Sequence, residues 1–117
     1  MVEEARYDWG AGWREESWTE IEKYMREIKS LCAREHIELR MIVFPVAPQA
    51  MIDKPFKNLL YPQQKAEQLA QKLDIRFLDV LPALKARAAE RVFTDQCHLT
   101  SAGNAAVADA LSIFISK

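Results

Sequence analysis

Residues 37–45 read Ile37-Glu38-Leu39-Arg40-Met41-Ile42-Val43-Phe44-Pro45. The run predicts a strand over 37–44. Its second half, Met41-Ile42-Val43-Phe44, is apolar without alternation, which suits a strand covered on both faces, as in a parallel sheet. Pro45 and Pro48 end it, and residues 46–60 read as a loop with Pro48, Asp53, Pro55 and Asn58 as breakers.

Working outward, Ser17-Trp18-Thr19-Glu20 upstream fits a capping box, in which the serine hydroxyl bonds the N3 amide and the glutamate returns to the cap amide. Apolar residues follow at Trp18, Ile21, Met25, Ile28 and Cys32, with Tyr24 and Leu31 widening the stripe. That spacing predicts a helix over 17–35. Residues 1–14 have no clear period and read as an irregular arm, leaving 15–117 as the folded unit. Downstream, Pro62 suits the first turn of a helix over 61–73 with Ala66, Leu69, Ala70 and Leu73 inward. A second strand is expected over 75–80, a charged helix opened by Pro82 over 82–91, and a loop over 93–99. Thr100 or Ser101 caps a last helix reaching Ile115, whose stripe is Val107, Ala110, Leu111 and Phe114. Strands separated by helices imply crossovers and a parallel arrangement. Two strands make a poor parallel sheet, however, and a complete doubly wound domain has about five. The expected fold class is α/β, the second half of a three-layer α/β/α domain.

Bulk properties narrow the function. The chain has 117 residues, half of them hydrophobic, enough for one small packed domain. Lys plus Arg is 16 and Asp plus Glu is 17, so a net charge of -1 gives no electrostatic reason to expect a nucleic-acid partner. No apolar run approaches the ~20 residues of a membrane span. The N-terminal Met-Val-Glu-Glu-Ala-Arg lacks the basic head and apolar middle of a signal peptide, so the chain as given is expected to be cytoplasmic, an expectation that holds only if Met1 is the natural start. Cys32 and Cys97 show no spacing pattern for a disulfide. With two histidines and no Cys-x-x-Cys pair, neither a metal nor a cofactor is expected.

The chemistry concentrates in Phe93-Thr94-Asp95-Gln96-Cys97-His98-Leu99-Thr100-Ser101-Ala102-Gly103-Asn104. Asp95 and His98 are three apart in a tight loop before a helix. A carboxylate so placed accepts from the imidazole Nδ1, fixes the tautomer and leaves Nε2 to take a proton from a nucleophile. The spacing alone also fits a surface loop with a turn-capping aspartate and an exposed histidine. The continuation Leu99-Thr100-x-x-Gly103 at the head of an amphipathic helix favours the first reading, and Gly103 lets the helix's first turn pack closely on the sheet.

This block resembles the last sequence block of the SGNH (GDSL-like) hydrolase superfamily, Asp-x-x-His followed by Leu-Thr and a glycine. In order, the first helix, the strand ending Val43-Phe44-Pro45, the helix over 61–73 and the strand ending Phe77-Leu78-Asp79-Val80 look like that family's later βα units. The resemblance implies a flavodoxin-like three-layer domain and a serine esterase or acyl-ester hydrolase. His98 would be general base then acid, Asp95 its orienter, and serine attack on an ester carbonyl would give an acyl-enzyme. It also implies a serine in a Gly-Asp-Ser-like segment and a glycine and asparagine for the oxyanion hole, all earlier in sequence than the matched region. This chain has no Gly-Asp-Ser; its serines are Ser17, Ser30, Ser101, Ser112 and Ser116, and its first asparagine is Asn58. Only the Asp95 and His98 roles carry over, so the chain alone is expected to be inactive. The missing parts would come from omitted sequence or another chain, or the protein is a relic. A homo-oligomer or partner chain is expected to cover the incomplete sheet. The competing reading is a small α/β module that binds or assembles through its sheet edge and tryptophans, without chemistry.

Other residues are read as structural. Trp9, Trp13 and Trp18 are expected to be buried rather than to stack on carbohydrate. His36 is expected to close the first helix at its C-terminus. Glu15, Glu16, Glu20, Lys23, Arg26 and Glu27 read as a solvated helix face. Asp79, ending the second strand, is either a support for the loop or a plain turn aspartate.

Overall fold

The computed structural model describes residues 10–51 and 57–117. A 3₁₀ turn at Gly10–Trp13 leads into α1 (Glu15–Arg34), β1 (Arg40–Val43), α2 (Ala47–Met51), α3 (Tyr61–Lys72), β2 (Arg76–Asp79), α4 (Leu81–Ala86), a 3₁₀ turn at Ala88–Glu90 and α5 (Ser101–Ile115). The two strands pair in parallel, with Arg40, Met41, Ile42 and Val43 opposite Arg76, Phe77, Leu78 and Asp79. The fold is thus mixed α/β with a two-stranded parallel sheet.

Successive strand residues point to opposite faces, and each face has its own apolar cluster. Ile42 and Leu78 pack against Ala47, Ala50, Val80, Leu81, Leu84, Val92, Phe93, Ala106 and Val107. Met41 and Phe77 pack with Leu39 against Leu69, Ala70, Leu73 and Ile75, joined by Trp18 and Met25 of α1. The unalternating apolar run at 41–42 is explained by this cover on both faces.

Several boundaries differ from the sequence reading. The capping box is not formed: α1 begins at Glu15, its N-cap is Arg14, and no side chain caps it. The preceding 3₁₀ turn continues into the helix through backbone bonds from Arg14 N to Ala11 O and Ser17 N to Arg14 O, both 3.2 Å, so Ser17 is already inside. No residue of α1 is buried, and Ile21, Tyr24, Ile28 and Leu31 are exposed. The predicted stripe is therefore only partly used, by Trp18 and Met25. β1 starts at Arg40 rather than Ile37, because Ile37 still closes α1: its amide donates to Cys32 O at 2.8 Å while His36 N donates to Ala33 O at 3.2 Å. This is a Schellman closure, with His36 in the left-handed region at φ 58. α3 ends the same way, through Ile75 N to Ala70 O (2.8 Å) and Asp74 N to Gln71 O (3.2 Å), with Asp74 at φ 53. Lys29 of α1 binds that end, donating to the carbonyls of Leu73 and Asp74.

The predicted loop at 46–60 contains α2. Pro48 sits in its first turn, where a missing N–H costs nothing, and the buried Gln49 organises the segment. Its amide accepts from Val46 N (3.0 Å) and donates to Leu59 O (2.8 Å) and Gln63 Oε1 (2.7 Å). Residues 52–56, including Asp53 and Pro55, and residues 1–9, including Trp9, lie outside the described residues. The helix expected over 82–91 ends as α4 at Ala86 and resumes only as a 3₁₀ turn. Among the described residues no helix is long and apolar enough to cross a membrane.

Candidate active site

The loop between the 3₁₀ turn and α5 is a small hairpin. Phe93 and Leu99 form an antiparallel bridge, and Thr94 N donates to His98 O at 2.8 Å. At its base, Thr100 N donates to Val92 O at 3.0 Å. Thr100, one of the two predicted caps, is the N-cap of α5: its Oγ1 accepts from Gly103 N at 3.1 Å and donates to Arg91 O at 2.7 Å. Gly103 packs against the backbone of Val92 rather than against the sheet; a Cβ there would stand 2.2 Å from Val92 O. One hydroxyl and one missing methyl thus dock the helix onto the segment that begins the loop.

The loop lies beyond the carboxyl end of the sheet. Ala47, four residues after β1 ends, donates its amide to Gln96 O at 2.7 Å. In open α/β sheets this end is where ligands and catalytic side chains gather.

Asp95 and His98 meet within the loop. His98 Nδ1 is 2.7 Å from Asp95 Oδ2, while Asp95 Oδ1 accepts from the amides of Cys97 (2.9 Å) and His98 (2.8 Å). The carboxylate is therefore clamped by the backbone and aimed at the ring. These bonds all favour the ionised carboxylate and hold the Asp95 pKa down to about 2, the Cys97 amide contributing most, then the His98 amide, then the imidazole. A carboxylate at Nδ1 makes the Nδ1–H tautomer the favoured one, which leaves Nε2 as the basic nitrogen. The side chains are 75% and 55% exposed for His98 and Asp95, so the pair is open to an incoming group.

Cys97, set aside in the sequence as neither a disulfide partner nor a zinc ligand, stands beside the pair. Its Sγ is 3.6 Å from His98 Nδ1, on the same nitrogen as Asp95. It is not arranged as a nucleophile relayed by that histidine, since a triad needs the nucleophile on Nε2. Its thiol is pushed up, first by burial and then by the Asp95 charge, away from the thiolate.

The other candidates are structural. Trp13 Nε1 donates to Asn58 O and Trp18 Nε1 to Gly12 O, both at 2.8 Å, pinning the N-terminal turn. Asp79 accepts from Leu81 N, the first amide of α4, at 2.9 Å, as a turn aspartate does; burial raises its pKa. Cys32 and Cys97 are both free thiols. A groove between α1 and α3, lined by Glu15, Trp18, Glu22, Lys65, Leu69 and Lys72 among others, shares no residue with the loop. Glu15 there is paired with Lys65 at 2.8 Å and Glu22 with Lys72 at 2.6 Å. No serine among the described residues hydrogen-bonds His98; Ser116, for one, turns back onto Ser112 O and Ile113 O.

The chain matches no protein-family model, no curated protein and no solved structure.

Proposed function

We propose that the chain is the Asp–His end of an SGNH-like serine ester hydrolase domain, its nucleophile and oxyanion donors supplied from outside these 117 residues. One observation carries the reading: the 2.7 Å contact from His98 Nδ1 to an Asp95 carboxylate whose other oxygen is held by two amides. A turn aspartate needs only the amide bonds. The second oxygen, aimed at Nδ1, is what a general base requires to hold its tautomer and to stabilise the imidazolium formed when Nε2 takes a proton. The loop's position beyond the carboxyl end of the strands supports the same reading, as do the apolar clusters on both sheet faces, which suit the later half of a flavodoxin-like three-layer domain.

In this account His98 takes the proton of a serine hydroxyl as the serine attacks an ester carbonyl. It returns that proton to the leaving alkoxide, then activates the water that frees the acid. Asp95 stays ionised throughout. The isolated chain lacks the serine, and an oxyanion donor alone is worth about a hundredfold or more in rate. It therefore gives no saturable turnover of a short-chain nitrophenyl ester beyond that of free imidazole.

A second reading, a binding or assembly module without catalysis, is favoured by the exposed apolar face of α1 and the two-stranded sheet. The coding sequence upstream of Met1 separates the two. A Gly-Asp-Ser segment followed by Gly-x-Asn-Asp in the same frame supports the hydrolase; a natural start at Met1 with no partner chain carrying those segments supports the module.

A further inference from the structure

The Asp95–Cys97–His98 loop holds three different metal-ligating atoms where the hydrolase reading uses two. A carboxylate oxygen of Asp95, Cys97 Sγ and a ring nitrogen of His98 all lie within 4.8 Å of one another. We propose that this loop binds a single borderline-soft divalent cation of the zinc class through Asp95, Cys97 and His98, with water completing a tetrahedron.

Two of the three ligand–ligand edges stand close to the values a tetrahedral ion requires, and the third is held within 4.8 Å. Zinc bonds of about 2.3 Å to sulfur and about 2.0–2.1 Å to nitrogen set tetrahedral S and N ligands about 3.5–3.6 Å apart. Sγ and Nδ1 stand 3.6 Å apart. The nitrogen and carboxylate oxygen of such a site lie about 3.3 Å apart, against 2.7 Å for the present hydrogen bond. A side-chain movement of about 0.6 Å opens that edge as the metal replaces the proton between them. The outer support is already built. Asp95 Oδ1 keeps its bonds from the Cys97 and His98 amides, so the ligating carboxylate is oriented by the same loop that carries the other two ligands. His98 and Asp95 are more than half exposed, which gives the ion its path in.

Binding is balanced by two proton movements. The Cys97 thiol releases its proton to solvent, and the imidazole carries its remaining proton on Nε2 once Nδ1 is ligated. A bound cation therefore removes Nε2 as a base and separates Asp95 from the ring, so the site doubles as an off-switch for the dyad. The binding itself stands on the loop geometry and is independent of the hydrolase reading.

The test is a Co²⁺ titration of the reduced chain followed by absorbance, because a cobalt–thiolate bond gives a near-ultraviolet charge-transfer band that free cobalt lacks. We expect the band to saturate at one equivalent in the wild type and in Cys32→Ser, and to bleach when Zn²⁺ displaces the cobalt. It should vanish in Cys97→Ser and weaken by about tenfold or more in affinity in His98→Ala. Cys97→Ser keeps the backbone amide that Asp95 accepts from, so its circular dichroism should match the wild type and its result decides the matter. Absence of a thiolate band at millimolar cobalt, or a band that survives in Cys97→Ser and disappears in Cys32→Ser, overturns the proposal.

Discussion

Gly103 lies against the backbone of Val92 so closely that a single added methyl group would sit 2.2 Å from the Val92 carbonyl oxygen and 3.1 Å from Leu99 Cβ. Neither neighbour is the end of a flexible side chain. Gly103→Ala therefore pushes α5 off the Val92–Phe93 segment and strains the Thr100 cap with it. Overpacking of this kind costs about 1–3 kcal/mol or more, although alanine is the better helix former. Urea unfolding followed by circular dichroism should show the loss. A variant as stable as the wild type would mean that α5 is not docked as described.

Much of this end of the chain was legible in advance. A cap at Thr100 or Ser101 and the Asp95–His98 contact follow from short-range chemistry within one loop; the tight fit at Gly103 was expected against the sheet and is made instead with Val92. The ends of α1 and α3 were legible to within a residue, His36 included; the late starts of β1 and β2 were not, because no glycine marks the left-handed position that closes each helix. His36 and Asp74 take that conformation instead, at φ 58 and 53, and the Schellman bonds that follow delay β1 and β2 by a residue or more. α2 was hidden for a different reason: Pro48 reads as a breaker, and the contacts that stabilise its helix are the Gln49 bonds to Leu59 and Gln63, ten and fourteen residues away. The start of α1 was misplaced because backbone bonds from a 3₁₀ turn replaced the side-chain cap.

Asp74→Gly follows from the same observation. A non-glycine residue in the left-handed region costs about 1–2 kcal/mol, partly offset by the entropy glycine loses on folding. The bond from Lys29 goes to the Asp74 carbonyl, which survives the change. The net gain expected is about 0.5–1 kcal/mol, seen as a higher urea midpoint at unchanged slope. A lower midpoint would contradict the left-handed closure.

Asp95 sets a pH signature. Its folded pKa of about 2 lies below the ~3.9 of an unfolded aspartate. The stability it contributes is therefore present above about pH 4 and lost as pH falls toward 2. Carboxyl carbon shifts followed by NMR should place the Asp95 midpoint near 2, and Asp95→Asn should flatten this part of the stability profile. A midpoint at the ordinary aspartate value would dissolve the clamp on which the dyad rests.

The apolar surface predicts association. Tyr24, Ile28 and Leu31 on α1, Phe44 just past β1 and Ile113 and Ile115 near the end of α5 are all exposed. Among the described residues no third strand pairs with β1 or β2. Covering such side chains is worth about 1.5–3 kcal/mol each, and an apolar strand edge is a template for another chain. Light scattering over a dilution series should find dimers or larger species. A compact monomer with a cooperative melt at micromolar concentration would instead favour the self-contained binding module.

On the proposed function, His98 serves a serine supplied from outside these 117 residues. A fluorophosphonate ester probe reacts preferentially with activated serines, and His98→Ala tests which of them depend on this histidine, so it should be applied to the natural gene product, isolated with whatever remains bound to it. One labelled serine is expected outside this stretch, in the same polypeptide or a tightly associated chain, with loss of that label in His98→Ala. No labelled serine in the isolated material, or labelling that persists undiminished in His98→Ala, would contradict the proposed function.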